Sequence, residues 1–283
     1  MKGFLRMMKH EGLLPVTYYF VMAEYDSVAK KTQKAEAKEK RSEFTLNSLL
    51  GKKLRLSFTE EIRCVDCGKV TKKSFAQGSC YTCFLNLASN DMCILKPETC
   101  HHHLGTCREP EWGLTNCFKK HTLYLANTSG VKVGITKENP VSKRWVDQGA
   151  MYALPVIEFL SRRDSGIVES SLAKYVADKT SWQKMIGGDS VVIDLFLKKE
   201  ELLAKINLKE LVKDFTIIKN PTLTEIKYPI ASYPSKKVSF KPDKAKPIED
   251  TLVGVKGQYL LFEKGVINIR SYSGYYAELE IIE

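Results

Sequence analysis

The sequence lacks any apolar run approaching the ~18 residues that a membrane-spanning helix needs. Its start lacks the apolar core and cleavage site of a signal peptide, and it contains neither an internal repeat nor a glycine-rich nucleotide loop. These absences predict a cytoplasmic protein with no membrane partner and no nucleotide cofactor. Thiols stay reduced in the cytoplasm, so paired cysteines are expected to bind metal rather than to form disulfides.

Acidic side chains are scarcer than basic ones, 33 against 44, which gives a net charge of +11. This excess is typical of proteins that approach phosphate groups, so the predicted partner is nucleic acid, either DNA or RNA. Part of it lies in the run KKTQKAEAKEKR at 30–41, which resembles a solvated linker or helix face.

Four cysteines form the clearest local motif. Cys64 and Cys67 are two residues apart, Cys80 and Cys83 repeat that spacing, and twelve residues separate the two pairs. Two C-x-x-C turns of this kind aim four sulfurs at one tetrahedral zinc ion. A closed set of four thiolates leaves no position for a substrate, so the predicted zinc is structural.

A second cluster of candidate ligands follows at once. Its members are Cys93, Cys100, His101, His102, His103, Cys107, Cys117 and His121. These exceed the needs of one ion, and their irregular spacing does not single out four. We expect a second structural zinc bound by Cys93, Cys100, Cys107 and Cys117, with His101 or His121 as the substitute ligand.

The chain after the cysteines alternates short strands and helices. The stretch HTLYLANTSGVKVGITK at 121–137 predicts a hairpin, followed by a short helix with Arg144 and Trp145, a strand at 154–160 and a helix from about 164 that carries Glu169. The predicted order is β-β-α-β-α. Gly134, inside the second strand, is expected to permit close backbone approach or a bulge.

This order resembles the core of the GIY-YIG nuclease superfamily over about a quarter of the chain. Tyr124 takes the place of the tyrosine in the first signature triplet, and KVGIT takes the place of the second triplet. Arg144 and Glu169 resemble the helix arginine and the metal-binding glutamate. The whole chain also resembles an uncharacterised family of zinc-containing proteins with a GIY-YIG-like core.

The resemblance implies a metal-dependent phosphodiester hydrolase. Glu169 would bind Mg²⁺ or Mn²⁺, Arg144 would contact the phosphate, and Tyr124 would position or activate water. The chain departs from the family pattern in three places: Thr122 replaces the first glycine, Lys132 replaces the second-triplet tyrosine, and no residue after Glu169 matches the asparagine that many members carry. Lys132 would then be a base or a phosphate contact.

Other basic residues of this core are candidates for contact with a nucleic-acid backbone. They are Arg162, Arg163, Lys137 and Lys143. The alternative for Arg162 and Arg163 is a solvated turn between a strand and a helix.

The ends of the chain contain strand-like runs, such as VTYYFVM near the start and three predicted strands after 250, with turns at Glu263–Gly265 and Ser271–Gly274. A three-stranded sheet alone is marginal, so we expect these runs to pair in one module. The predicted class is therefore α+β, with a zinc-ribbon-like segment, a GIY-YIG-like core and a terminal β module. The predicted divisions are a β-rich region at 1–60 with the basic insert 30–41, a zinc-binding segment at 61–120, the core at 121–190, a helical connector at 191–220 and a β region at 221–283.

The leading functional prediction is a nucleic-acid-binding protein with structural zinc and a nuclease-like core, whose catalytic activity the sequence leaves open. The alternatives are a non-catalytic nucleic-acid or ribonucleoprotein adaptor, and a zinc-stabilised protein-interaction module without a nucleic-acid role. A Glu169 side chain turned into the apolar core would favour the alternatives.

Overall fold

The computed structural model describes residues 1–25, 39–137, 141–176, 182–188, 192–242 and 246–282. The chain forms two units, the first built from Met1–Leu85 together with Lys227–Glu283 and the second from Asn86–Ile226. The boundary between Leu85 and Asn86 falls inside the predicted zinc-binding segment. Most of the basic run 30–41 lies outside the described residues, and Glu39 begins a strand.

The fold is α+β, as predicted. The strands are β1 (Lys2–Leu5), β2 (Lys9–Glu11), β3 (Thr17–Tyr25), β4 (Glu39–Thr45), β5 (Lys53–Ile62), β6 (His121–Asn127), β7 (Val131–Lys137), β8 (Tyr152–Phe159), β9 (Thr216–Ile217), β10 (Thr224–Glu225), β11 (Ile248–Lys256), β12 (Tyr259–Phe262), β13 (Gly265–Asn268) and β14 (Tyr275–Ile281). The helices are α1 (Tyr81–Asn86), α2 (Met92–Leu95), α3 (Pro110–Asn116), α4 (Val141–Asp147), α5 (Arg162–Ala173), α6 (Trp182–Met185), α7 (Leu195–Leu203) and α8 (Leu208–Leu211). None of these described helices has the length and apolar content needed to cross a membrane.

The first unit contains one antiparallel sheet built from both ends of the chain. Its strands run in the order β13-β12-β11-β5-β14-β1-β3, and both β2 and β4 pair with β3. Strand β14 is hydrogen-bonded to β5 on one side and to β1 on the other. The predicted pairing of the N-terminal and C-terminal runs is thus confirmed.

Four strands, rather than the three predicted, form the C-terminal part of this sheet. The apolar run after residue 250 turns back at Gly257, whose φ of +61° lies in the left-handed region, so that β11 and β12 pair with each other. Leu252, Val255, Leu260 and Leu261 are all buried on either side of this turn. The residues Lys256, Gly257 and Gln258 are a turn signal that the prediction missed, and both polar side chains are buried.

The second unit contains a five-stranded antiparallel sheet in the order β10-β8-β6-β7, with β9 also paired to β8. The predicted hairpin is β6 and β7, in which His121 pairs with Lys137 and Tyr124 with Gly134. Chain order through this region is β6-β7-α4-β8-α5, which confirms the predicted alternation of strands and helices.

Strand β6 is central to this unit, and all seven of its residues are buried. Leu123 and Leu125 belong to an apolar cluster with Val168 of α5 and Leu195 of α7 on one face. On the other face Tyr124 meets the ring of Trp145 from α4, edge to face, with ring centres 5.8 Å apart. Because side chains pack against both faces of β6, the strand does not alternate between apolar and polar residues.

The region predicted as a helical connector at 191–220 contains two helices, α7 and α8, with a break between them. Asn207 precedes α8 in an extended conformation, and its side-chain amide donates to Glu210 at 2.7 Å. Asparagine favours such positions over a helix interior because its side chain competes for local hydrogen bonds.

Lys256 is a buried lysine at the end of β11. Its side chain is 2% exposed, and its ammonium lies 5.3 Å from the centre of the Tyr228 ring. Burial lowers the pKa of Lys256 from its ordinary 10.5 to about 8. The unfolded chain therefore binds this proton more tightly than the folded protein, and stability rises with pH between about 8 and 10.5.

We therefore expect Lys256→Met to stabilise the protein at pH 7 by on the order of 1–3 kcal/mol, an advantage that fades as pH rises through that window. Urea unfolding at pH 7, 8, 9 and 10 measures the difference between variant and parent. Lys241→Met, at an exposed lysine, is the matched control. A difference that stays constant with pH would contradict the assignment to Lys256.

Candidate functional site

The first four cysteines form a compact cluster in the first unit. The sulfurs of Cys64, Cys67, Cys80 and Cys83 all lie within 4.8 Å of one another, and those of Cys67 and Cys80 are 3.8 Å apart. Zinc–thiolate bonds of about 2.3 Å in a tetrahedron separate the sulfurs by about 3.8 Å. The donor set therefore fits a zinc ion, and this cluster can bind one.

Two backbone turns hold these sulfurs. The amide of Gly68 donates to the carbonyl of Cys64 at 2.9 Å, and the amide of Phe84 donates to the carbonyl of Cys80 at the same distance. The amide of Cys80 also donates to the sulfur of Cys64 at 3.1 Å, which links the two turns. Each C-x-x-C spacing thus closes one turn and directs two sulfurs to the same point.

Asp66 supports the first turn from within it. Its Oδ2 accepts a hydrogen bond from Ser79 Oγ at 2.6 Å and lies 3.7 Å from the sulfur of Cys64. Burial raises the pKa of Cys64 to about 11, so this thiol is protonated at neutral pH without a metal. Zinc binding would release that proton, as is usual for thiolate sites.

The second set of cysteines is less compact. Cys93, Cys100, Cys107 and Cys117 line one small cavity of about 10 Å³ in the second unit, together with His101 and His102. Across the described residues, the other group of three or more candidate ligands within 4.8 Å is Asp91, Cys93 and His101. No three of these four thiols meet that distance. All eight cysteines of the chain are described, and none forms a disulfide.

Asp91 was not among the predicted ligands. Its carboxylate caps α2 by accepting from the amide of Cys93 at 3.2 Å, and it pairs with Arg108 at 2.7 Å. One oxygen lies 3.5 Å from Nε2 of His101, whose Nδ1 is 2.8 Å from Thr106 Oγ1. The sequence signal for Asp91 is its position two residues before Cys93, where aspartate commonly caps a helix.

His121, predicted as a substitute ligand, is fully buried at the start of β6. Its Nδ1 lies 2.8 Å from the carbonyl of Lys119, and no described residue hydrogen-bonds to its buried Nε2. Burial lowers the pKa of His121 to about 4, and the nearby charges of Arg162 and Lys137 lower it further. The imidazole is therefore neutral at physiological pH.

Tyr124, predicted as catalytic, lies across Gly134. A Cβ at Gly134 would lie 2.6 Å from the Tyr124 hydroxyl oxygen and 2.7 Å from Cζ, so only glycine leaves room for this ring. The space that Gly134 leaves is filled by the tyrosine side chain, rather than by the backbone approach or bulge that was predicted. Burial raises the pKa of Tyr124, whereas the charge of Arg144 lowers it.

Gln148 connects Tyr124 to Arg144. With its amide oriented to satisfy both neighbours, Gln148 donates to the Tyr124 hydroxyl at 2.8 Å and accepts from Nε and Nη2 of Arg144 at 3.1 and 3.2 Å. Gln148 was not predicted. Its signal is the spacing of four residues from Arg144, which places both side chains on one side of α4 and the turn after it.

The other two predicted catalytic residues are Lys132 of β7 and Glu169 of α5, a helix that packs against β6 and β7. Lys132 is two residues from Gly134 in β7, so it shares the face of the sheet that Tyr124 occupies, and it is half-buried. Glu169, on α5, is also half-buried rather than sunk into the apolar core. Its carboxylate raises the pKa of the Tyr124 hydroxyl, an effect secondary to burial, so the charge of Glu169 reaches this hydroxyl.

The remaining basic candidates differ in exposure. Lys143 and Arg163 are exposed. Lys137 is exposed too, but its ammonium hydrogen-bonds to Asn116 at 2.6 Å and lies 5.8 Å from the centre of the Trp112 ring. Arg162 is turned inward, where Nη2 donates to the carbonyl of Ile94 at 2.8 Å. Burial lowers the pKa of Arg162, so its charge lies in poorly solvated surroundings.

Comparison with protein families matches residues 51–277 to the family described as Protein of unknown function (DUF2797). That range is more than half of the chain and includes both cysteine clusters and the Tyr124 site. No curated protein and no solved structure matches the chain.

Proposed function

We propose that this chain, which belongs to the DUF2797 family, binds nucleic acid and hydrolyses phosphodiester bonds at the Tyr124 site. The observation that carries the proposal is the bridge from Tyr124 through Gln148 to Arg144, with the charge of Glu169 reaching the same hydroxyl. The order β6-β7-α4-β8-α5 and the net charge of +11 support it. The resemblance to the GIY-YIG nucleases is part of this proposal.

Each residue of the site has a task in this chemistry. The exposed Arg144 would bind the phosphate and offset the negative charge that grows on its oxygens. Gln148 holds the guanidinium in place, and Lys132 would contact a neighbouring phosphate. Tyr124 would position the attacking water through its hydroxyl.

Glu169 would bind Mg²⁺ or Mn²⁺, which polarises the phosphoryl group and stabilises the leaving oxygen when bound. A single carboxylate fits magnesium, because this ion keeps several waters and is commonly held by one or two carboxylates together with substrate phosphates. The four-cysteine zinc takes no part in this step, since four thiolates fill its coordination sphere.

One observation favours a second candidate, a nucleic-acid-binding protein without catalysis. Tyr124 is 0% exposed and its hydroxyl is occupied by Gln148, so water does not reach it in this conformation. In that case Arg144, Lys143 and Arg163 would bind phosphates while Tyr124 served only to pack the site.

Glu169→Gln is expected to reduce Mn²⁺-dependent cleavage of DNA or RNA by about 100-fold or more, because the variant keeps the shape of the side chain and loses the charge that binds the ion. Binding, measured by titration at two salt concentrations, should stay within about threefold of the parent and weaken as salt rises. Cleavage of single-stranded and double-stranded substrates is the assay.

Glu201→Gln, at an exposed acid of α7, is the matched control and should cleave as the parent does. Cleavage by the Glu169 variant at the parental rate would refute the catalytic assignment. Salt-sensitive binding by a parent protein that cleaves nothing would support the second candidate, and absence of binding at low salt would rule out both.

A further inference from the structure

The cavity of the second cysteine cluster is rich in metal-binding side chains. Its lining includes seven of them: Asp91, Cys93, Cys100, His101, His102, Cys107 and Cys117. A volume of about 10 Å³ matches one small particle rather than an organic group or a polynuclear cluster. Thiol and imidazole donors around a space of this size favour zinc over magnesium or calcium, which prefer oxygen.

Positive side chains next to the cavity would complement the negative charge of a zinc–thiolate centre. Four thiolates on one zinc ion leave a net charge of about −2. Two cationic residues lie beside Cys117: the amide of Arg162 donates to the carbonyl of Cys117 at 2.8 Å, and the ammonium of Lys137 hydrogen-bonds to the neighbouring Asn116 at 2.6 Å. The Nε of Arg162 is buried, and no described residue accepts its hydrogen bond. An inward-facing arginine of this kind is better accommodated beside an anionic centre than beside neutral thiols.

The segment that carries these thiols is attached to helix α5. The amide of Arg162 donates to the carbonyl of Cys117 at 2.8 Å, and its side chain donates to the carbonyl of Ile94 at 2.8 Å. One turn later Gly166 packs so closely that a Cβ there would lie 2.4 Å from Cβ of Pro97 and 2.8 Å from the amide of Glu98. The helix therefore contacts the segment on both sides of Cys100.

Glu169 lies on the same side of α5 as these contacts, three residues after Gly166. The segment between residues 86 and 117 contains only short helices, namely α2 of four residues, α3 of seven and three single-turn 3-10 helices. Only Ala88, Pro97 and Gly113 are buried within it. Such a segment needs a ligand or metal to keep one conformation. The conformation of the segment 86–117 and the position of α5 are therefore linked through the contacts of Arg162 and Gly166.

We propose that Cys93, Cys100, Cys107 and Cys117 close around a second zinc ion, which draws these thiols nearer than they lie in the structure, where no three of them are within 4.8 Å of one another. The ion fastens this segment to α5 and thereby fixes the position of Glu169. The evidence for the zinc site is the cavity, the metal-binding side chains that line it and the positive side chains beside it. Its effect on catalysis rests on the proposed function of Glu169. Loss of this zinc loosens α5 and so weakens the Tyr124 site from a distance.

The test uses the full chain, purified without chelator, and compares Cys107→Ser with Cys67→Ser. Zinc and iron are measured by elemental analysis, and hydrogen exchange is followed in α5 and in β5. We expect two zinc ions in the parent and one in each variant. We also expect exchange in α5 to accelerate by about tenfold or more in Cys107→Ser alone. Thr115→Ser, at an exposed residue of α3, should match the parent.

A second variant separates the attachment from the metal. Gly166→Ala alters no ligand, so it should keep both zinc ions while α5 exchanges faster. One zinc ion in the parent, or iron in place of the second, would overturn the metal assignment. Unchanged exchange in α5 after loss of the second zinc would overturn the coupling. None of these readouts depends on cleavage, so an inactive Tyr124 site would leave them unaffected.

Discussion

Replacement of Cys80 by serine is expected to remove one zinc ion per chain and to lower the melting temperature of the first unit by on the order of 10 °C or more. Structural zinc binding contributes many kcal/mol to the folding of small metal-binding segments, and 1 kcal/mol corresponds to roughly 2–4 °C in a domain of this size. The sulfur of Cys80 lies 3.8 Å from that of Cys67, within the four-thiolate cluster. A serine hydroxyl at this position is a poor zinc ligand and does not replace the thiolate.

The loss should spread beyond the two turns. Arg63, directly before the first ligand, donates its amide to the carbonyl of Gly274 at 2.8 Å, and its side chain stacks over the rings of Phe4 and Tyr25. The first zinc turn is therefore continuous with the sheet of the first unit. We expect proteolysis near residues 63–85 to accelerate together with the fall in melting temperature.

The control is Thr82→Ala, at an exposed residue between Cys80 and Cys83, which should keep its zinc and melt with the parent. Chelation of the parent protein should reproduce the Cys80→Ser result. If Cys80→Ser retained the parental zinc content and melting temperature, the four-thiolate site would be wrong.

Gly134→Ala is expected to destabilise the second unit by about 1–3 kcal/mol. The new methyl group would lie 2.6 Å from the Tyr124 hydroxyl, and the ring has little freedom to move because it is fully buried against Trp145. A shift of Tyr124 would also break its hydrogen bond to Gln148, so phosphate or nucleic-acid binding through Arg144 should weaken as well. Urea unfolding and a binding titration measure the two effects.

A double-mutant cycle isolates this contact. Tyr124→Leu keeps an apolar side chain but removes the ring atoms nearest to Gly134, so adding Gly134→Ala to it should cost much less than in the parent. A coupling free energy of about 1 kcal/mol or more between the two substitutions is expected. Equal costs in both backgrounds would show that the strain at Gly134 arises from something other than Tyr124.

Features that depend on local spacing were predictable from the sequence. The C-x-x-C pairs define their own turns, so the first metal cluster follows from four positions and a known bond length. The hairpin of β6 and β7 and the pairing of the two chain ends also follow from strand-like runs. The turn at Gly257 was missed although Lys256, Gly257 and Gln258 interrupt the apolar run.

Features that depend on tertiary packing were not predictable. The contact of Gly166 with Pro97 joins residues that are 69 positions apart in the sequence, and nothing in the local pattern of either segment indicates it. The roles of Gln148 and Asp91 depend in the same way on neighbours that only the fold supplies. For the second cluster the irregular spacing allows several ligand sets, so the sequence favours Cys93, Cys100, Cys107 and Cys117 without indicating that Asp91 lies beside Cys93 and His101.

The order in which the strands leave the ribosome differs from their order in the first sheet. Strands β1 and β5 are synthesised early, but β14, which lies between them, is among the last segments to emerge. All of the second unit is made in the interval, so it can complete its own sheet while β5 still lacks both of its neighbours, β11 and β14. A nascent chain thus exposes unpaired strand edges for most of its synthesis, and chaperones that protect such edges would act before residue 275 appears.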